Sequence, residues 1–288
     1  MRLRNFRSFI RFSAVAMTFL AASTGYGNAV SSLPVAAGQA TVRLLASGLN
    51  NTNSAPVFSG GVEVVLNEGW KTYWRYPGDA GIPPRFDWNG SENVASVEVL
   101  YPAPKRIEDG SGQASIGYEK RVIFPLRIVP KDATKPVSLK LKLDFATCEK
   151  ICIPAEALLA LDVTTTAPQD AVLADAEKFV PQKAKLAEPH PFAILSATVE
   201  RGKNPDGSDG RIIVKALARS VGPLDLFAEG PTEEWTLALP ELLRNDAGNV
   251  TFAIPLSGSR MGMNDIPPKL RLTLVADEQA VEYEIPLD

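Results

Sequence analysis

The stretch PVSLKLKLDF, residues 136–145, restricts the fold more than any other part of the chain. Val137, Leu139, Leu141, Leu143 and Phe145 alternate strictly with Ser138, Lys140, Lys142 and Asp144. On a helix these apolar side chains would scatter around the axis, whereas on a strand they line one face. One buried and one wetted face is the pattern of an antiparallel sheet. A second apolar run, EALLALDVT, starts at Glu156. The only two cysteines of the chain, Cys148 and Cys152, fall between these runs, which puts them at the rim of a sheet.

Similar punctuation runs through the rest of the sequence. GGVEVVLNEGWKTYWRYP predicts a hairpin, with Asn67, Glu68 and Gly69 turning the chain. Past the turn, Trp70, Thr72, Trp74 and Tyr76 face one way and Lys71, Tyr73 and Arg75 the other. Trp70, Trp74, Phe86 and Trp88 read as sandwich core, because large aromatics dominate cores. Pro83 and Pro84 forbid regular pairing in the loop PGDAGIPPRFDW. ASVEVLYP and KRVIFPLRIVP predict further strands. Between residues 166 and 190 Ala, Lys, Asp and Pro take over, and Val172, Ala176, Phe179 and Val180 fall near helical spacing, which predicts a short, partly helical linker. Seven short runs follow, FAILSATVE, RIIVKALAR, PLDLFAEG, EEWTLALP, NVTFAIPL, KLRLTLVA and AVEYEIPLD. Their spacing near ten residues predicts a β-sandwich. The fold expected is all-β, with two tandem sandwich domains, residues 36–165 and 191–288.

The first 29 residues read separately. Arg2, Arg4, Arg7 and Arg11 precede an apolar stretch from Phe12 to Ala22, and small residues follow through Ala29. That is the pattern of a secretory signal peptide, with an apolar run short of the roughly 20 residues that span a bilayer. No later run approaches such a length, so no membrane span is expected after cleavage. Without the leader, the 30 basic and 33 acidic residues become 26 and 33. A mildly acidic chain with no basic stripe argues against nucleic-acid binding. With His190 as the only histidine, a Ser-His-Asp or Cys-His arrangement has little to build on, and no phosphate-binding glycine loop is present.

Two cysteines in an exported chain can pair. A pair enclosing so short a loop gains only about 2 kcal/mol as a staple, against about 4 kcal/mol for a bridge between sheets. Zinc needs four ligands, which two cysteines and His190 do not supply; copper(I) tolerates two thiolates, with Met261 and Met263 as soft helpers. Thiol–disulfide exchange needs two nearby sulfurs on an exposed connection, one to attack and one to resolve. The residues alone leave staple, copper(I) handling and exchange open, and imply neither a resident cofactor nor a resident metal.

TCEKICIPAEALLALDV, preceded by its strand, resembles the amino-terminal periplasmic domain of the DsbD family of thiol:disulfide interchange proteins. GWKTYWRYPGDAGIPPRFDW and LDLFAEGP are similar to the longer ScsB-type form, which carries a second sandwich. The resemblance implies immunoglobulin-like sandwiches and a periplasmic location. It implies that Cys152 forms mixed disulfides while Cys148 resolves them, and that a cap loop with Tyr76 and Asp79 at its tip shields the pair. The partners implied are periplasmic thioredoxin-like or disulfide-bonded proteins, with a membrane electron donor acting in trans. Any enzymatic role would be of the protein-disulfide reductase type, in settings such as cytochrome c biogenesis or copper tolerance. The rival reading is an envelope-protein adaptor with an inert disulfide.

Overall fold

The structure is a computed structural model. It describes residues 30–51, 56–78, 81–108, 114–186, 190–201, 210–219, 222–232, 235–256, 269–277 and 279–287. The leader expected over 1–29 lies outside these residues, as do Asp79, Met261 and Met263.

In the first half, strands run β1 (Val30–Ser31), β2 (Val35–Ala37), β3 (Ala40–Asn51), β4 (Pro56–Leu66), β5 (Lys71–Gly78) and β6 (Arg85–Asp87). They continue as β7 (Val94–Val99), β8 (Lys105–Glu108), β9 (Ala114–Glu119), β10 (Arg121–Pro130), β11 (Val137–Cys148) and β12 (Cys152–Val163). Helix α1 (Ala171–Lys178) follows. The second half holds β13 (Gln182–Lys183), β14 (Phe192–Arg201), β15 (Gly210–Ala218) and β16 (Leu224–Glu229). Last come β17 (Glu241–Asp246), β18 (Asn249–Pro255), β19 (Lys269–Ala276) and β20 (Gln279–Pro286).

Two sheets face each other in each half. The first pair is ordered β1-β3-β4-β10-β7, with β2 on β3, and β12-β11-β5-β9-β8, with β6 on β11. The second pair is β13-β20-β19-β16 and β14-β15-β18-β17. The molecule is all-β, as the alternation predicts, and immunoglobulin-like, as the resemblance implies. Val137, Leu139, Leu141, Leu143 and Phe145 are buried against Val62, Val64, Phe124 and Leu126 of the opposing sheet, in one core. Each such side chain contributes about 1.5–3 kcal/mol by leaving water. Phe192, Ile212, Val214, Phe252, Leu272 and Tyr283 build a separate core in the second half. No helix among the described residues is long and apolar enough to cross a membrane.

Two sequence expectations change. GGVEVVLNEGWKTYWRYP is not a hairpin: β4 joins the first sheet and β5 the second, so the chain crosses from sheet to sheet at Asn67–Trp70. Gly69 at φ +82° and the Trp70 N–H donating to the Asn67 carbonyl make the crossing. Trp74, fully buried between the sheets, draws β5 into the facing layer and outweighs local turn chemistry. EEWTLALP forms no strand over its described residues; Trp235 and Leu237 are buried from an irregular segment, and the exposed edge strand is β17 just beyond. Helix α1 does form within the segment read as a linker, capped by Asp170, which accepts from the Val172 N–H at 2.6 Å. Its Leu173 and Ala176 pack on Leu45 and Ile123 of the first sandwich.

Candidate functional site

Strands β11 and β12 pair in continuous register from Val137↔Val163 to Cys148↔Cys152, so the cysteines are the last pair of a long antiparallel hairpin. Their sulfurs are joined in a disulfide, with Cα atoms 4.1 Å apart. The two sulfurs differ in access. Cys148 is 1 % exposed, while Cys152 is open to solvent beside exposed Glu149, Lys150 and Ile151 of the connecting turn. One sulfur of the bond is therefore open to a partner and the other is enclosed.

Cys148 is enclosed because the inner strands are covered on both sides. Past Phe145 the alternation stops, and Ala146, Thr147 and Cys148 are all buried. Thr147 Oγ1 accepts from the Gln39 N–H at 3.1 Å, next to Gly38 at φ +58°, in the turn joining β2 to β3. On the other side, Ala146, Cys148 and Tyr73 form their own small buried cluster.

Tyr73 sits on β5, on the face opposite Trp74. Its phenol donates to Cys148 Sγ at 2.8 Å and lies 3.1 Å from Cys152 Sγ. Burial pushes the phenol above its ordinary pKa, against the opposing pull of a hydrogen bond with Ser115, so it keeps its proton at neutral pH. Thr72 Oγ1, on the neighbouring residue, donates to the Ala146 carbonyl at 2.9 Å and ties β5 to β11. Gly117 lies opposite Tyr73 on β9, and a Cβ there would come within 2.0 Å of the Thr72 carbonyl. A Cβ on Gly81 would come within 2.4 Å of the Tyr73 ring, so the loop after β5 lies close over this tyrosine.

Of the cap residues expected from the resemblance, Asp79 lies outside the described residues. Tyr76 packs against the first core and donates its hydroxyl to the Leu237 carbonyl of the second half at 2.8 Å. The aromatic hydroxyl on the sulfurs belongs to Tyr73. Sequence reasoning missed it; the usable signal was a tyrosine on the supposedly wet face of the aromatic strand. His190 lies away from the cysteines, with Nδ1 engaged by the Phe192 backbone. Among the described residues no cluster of three or more His, Cys, Asp or Glu could hold a metal ion.

Beside the disulfide is an open cleft of about 490 Å³, lined by Gly69, Lys71, Ile107, Glu119, Cys148 and Lys150 among others. Strand β5 links this region to the second half. Arg75 forms ion pairs with Glu229 and Glu282 and stacks on the Trp74 ring at 4.3 Å. Asp225, Phe227 and Glu229 of β16 face Arg106, Trp74 and Arg75, while Leu226 and Ala228 face the second core.

Together these features define an all-β protein with a disulfide at a hairpin end, one sulfur open and one enclosed beneath a phenol. Residues 51–164 match the family model of the thiol:disulfide interchange protein DsbD, N-terminal, and this stretch is a domain of that family. The crystal structure of the N-terminal periplasmic domain of ScsB from Proteus mirabilis is similar at a TM-score of 0.66 and 21 % identity, covering 91 % of this chain and 99 % of that one. Among curated proteins none matches the chain.

Proposed function

We propose that this protein is an exported, periplasmic thiol:disulfide interchange protein that relays electrons to partner proteins through Cys148 and Cys152. The observation that carries this reading is the unequal access of two bonded sulfurs at a hairpin end, with a phenol in reach of both. Membership of residues 51–164 in the DsbD N-terminal family supports it.

In the reduced protein, the Cys152 thiolate attacks a partner disulfide. The partner's bond breaks, one of its sulfurs leaves as a thiolate and takes a proton, and a mixed disulfide forms. The Cys148 thiolate then attacks Cys152 Sγ and expels the second partner sulfur, restoring the intramolecular bond. Two electrons and two protons pass from the dithiol to the partner. A thioredoxin-like or membrane-bound dithiol, acting in trans, recharges the pair by the reverse sequence.

Replacing Cys148 with Ser removes the resolving sulfur, so Cys152 is expected to accumulate a mixed disulfide that non-reducing gels and mass spectrometry detect. An adaptor with an inert bond would give no adduct with any thioredoxin-like donor or disulfide-bonded target. That result overturns the relay.

A further inference from the structure

Lys71 opens strand β5 and is directly opposite Cys148 on one side and Glu119 on the other. Directly opposed residues of an antiparallel pair project from the same face with Cβ atoms about 4.5–5.5 Å apart. Lys71 is only 8 % exposed, and both it and Cys148 line the cleft beside the disulfide. Its ammonium has no hydrogen bond or ion pair with any other described residue. Its stem is buried, and its ammonium opens on that cleft with no counter-charge bonded to it.

The missing counter-charge appears when the disulfide opens. We infer that Lys71 is the cation that stabilises the Cys148 thiolate, favouring the reduced pair and making Cys148 a better leaving group when a partner thiolate attacks Cys152. This inference rests on the relay reading for its biological sense, and on the placement of Lys71 for its physics. Breaking the Cys148–Cys152 bond by attack at Cys152 Sγ sends the bonding pair to Cys148 Sγ. A neighbouring cation lowers the energy of that charge, and a more stable thiolate leaves faster.

The charged and titratable groups around Cys148 are Tyr73, Lys71, Glu108, Glu119, Glu149 and Lys150. By count the acids outnumber the lysines, which would oppose a thiolate. Position reverses that balance. Glu108, Glu119, Glu149 and Lys150 are exposed at the rim, where water screens them, while Lys71 is buried. At equal distance a charge pair is about four times stronger at an effective dielectric of about 20 than in water. Tyr73 donates to the same sulfur and acts in the same direction.

The test uses the full chain with Cys152→Ser, which leaves Cys148 as the sole thiol, and follows thiolate absorbance against pH. Lys71→Met is expected to move the midpoint up by about one pH unit, and Lys71→Arg to hold it near the parent value. With both cysteines present, Lys71→Met is expected to shift the equilibrium with glutathione about tenfold toward the disulfide, which is about 30 mV lower in potential. A cooperative thermal melt checks that each variant is folded; if Lys71→Met fails it, Lys71→Gln carries the same comparison. An unmoved midpoint in a folded, uncharged variant overturns the proposal, and so does an equal shift in Lys71→Arg. The titration reads the sulfur without any partner. A shift with no trapped adduct would therefore sink the relay and keep Lys71, and an adduct with no shift would do the reverse.

Discussion

Tyr73 contacts both sulfurs with one hydroxyl, yet the two redox states do not use that hydroxyl equally. Against a disulfide it meets weak acceptors; against a thiolate it makes a charge-assisted bond, about twice as strong. Tyr73→Phe keeps the ring and removes the donor, so the reduced state loses more than the oxidised one. The reduction potential is expected to fall by about 30 mV, equivalent to about 1.4 kcal/mol, in a glutathione equilibrium. An unchanged potential would mean that the hydroxyl only fills space. The cysteines themselves were legible, since two sulfurs between two alternating runs have few places to go. Tyr73 was not. Period-two patterning assigns it to the wetted face with Lys71 and Arg75, and it is buried there only because β11, β9 and the loop carrying Gly81 close around it. Such cover comes from residues distant in sequence, and no local pattern encodes it.

At the level of elements, the sheet opposite the cysteines has its own fastening. Glu63 on β4 is 3 % exposed and takes Arg43 from β3 and Arg121 from β10, so one carboxylate ties three adjacent strands. Burial alone would raise its pKa, but the two guanidiniums overcome that and hold it below the ordinary value near 4.5. A carboxyl depressed in the folded state contributes stability that is full above the unfolded pKa and is lost as pH falls through the folded one. Thermal melts are therefore expected to weaken as pH drops below about 4.5, and Glu63→Gln to flatten that part of the profile. Equal acid sensitivity in both proteins would count against this role. Strands with strict alternation, β11 and β12 above all, could be read from sequence. The course of β5 could not, because Asn67–Gly69 turns a chain equally well within a sheet or between sheets. The burial of Trp74 decides which.

Across the whole molecule, the two sandwiches meet through β5, β8 and β16. Arg75 and Glu282 are ion-paired across 207 positions of sequence, and Arg106 holds Asp225 through two hydrogen bonds at 2.9 and 2.8 Å. Replacing Arg75 with Met removes the short ion pairs of the largely buried Glu229 and Glu282 and leaves them only the longer contacts to Arg271, at 3.9 and 4.0 Å. Denaturant unfolding is expected to report a loss of about 3 kcal/mol. Adding Glu229→Gln and Glu282→Gln to that variant should recover part of it, as coupled residues do. An unaltered midpoint would show that the junction is only a surface contact. Contacts of such separation leave no periodic trace, which is why the sequence suggested two sandwiches and a linker but not how they meet. β16 has a consequence for anyone shortening this chain. Its outward row of acid, aromatic ring and acid is a lid fitted to the first sandwich. Removing the second sandwich would leave an indole edge and Arg75 bare on the strand that carries Tyr73, and Arg106 bare on β8. The stretch with the family signature is thus no self-sufficient module here; cut free, it would be adhesive, and its chemistry would be measured on a loosened strand.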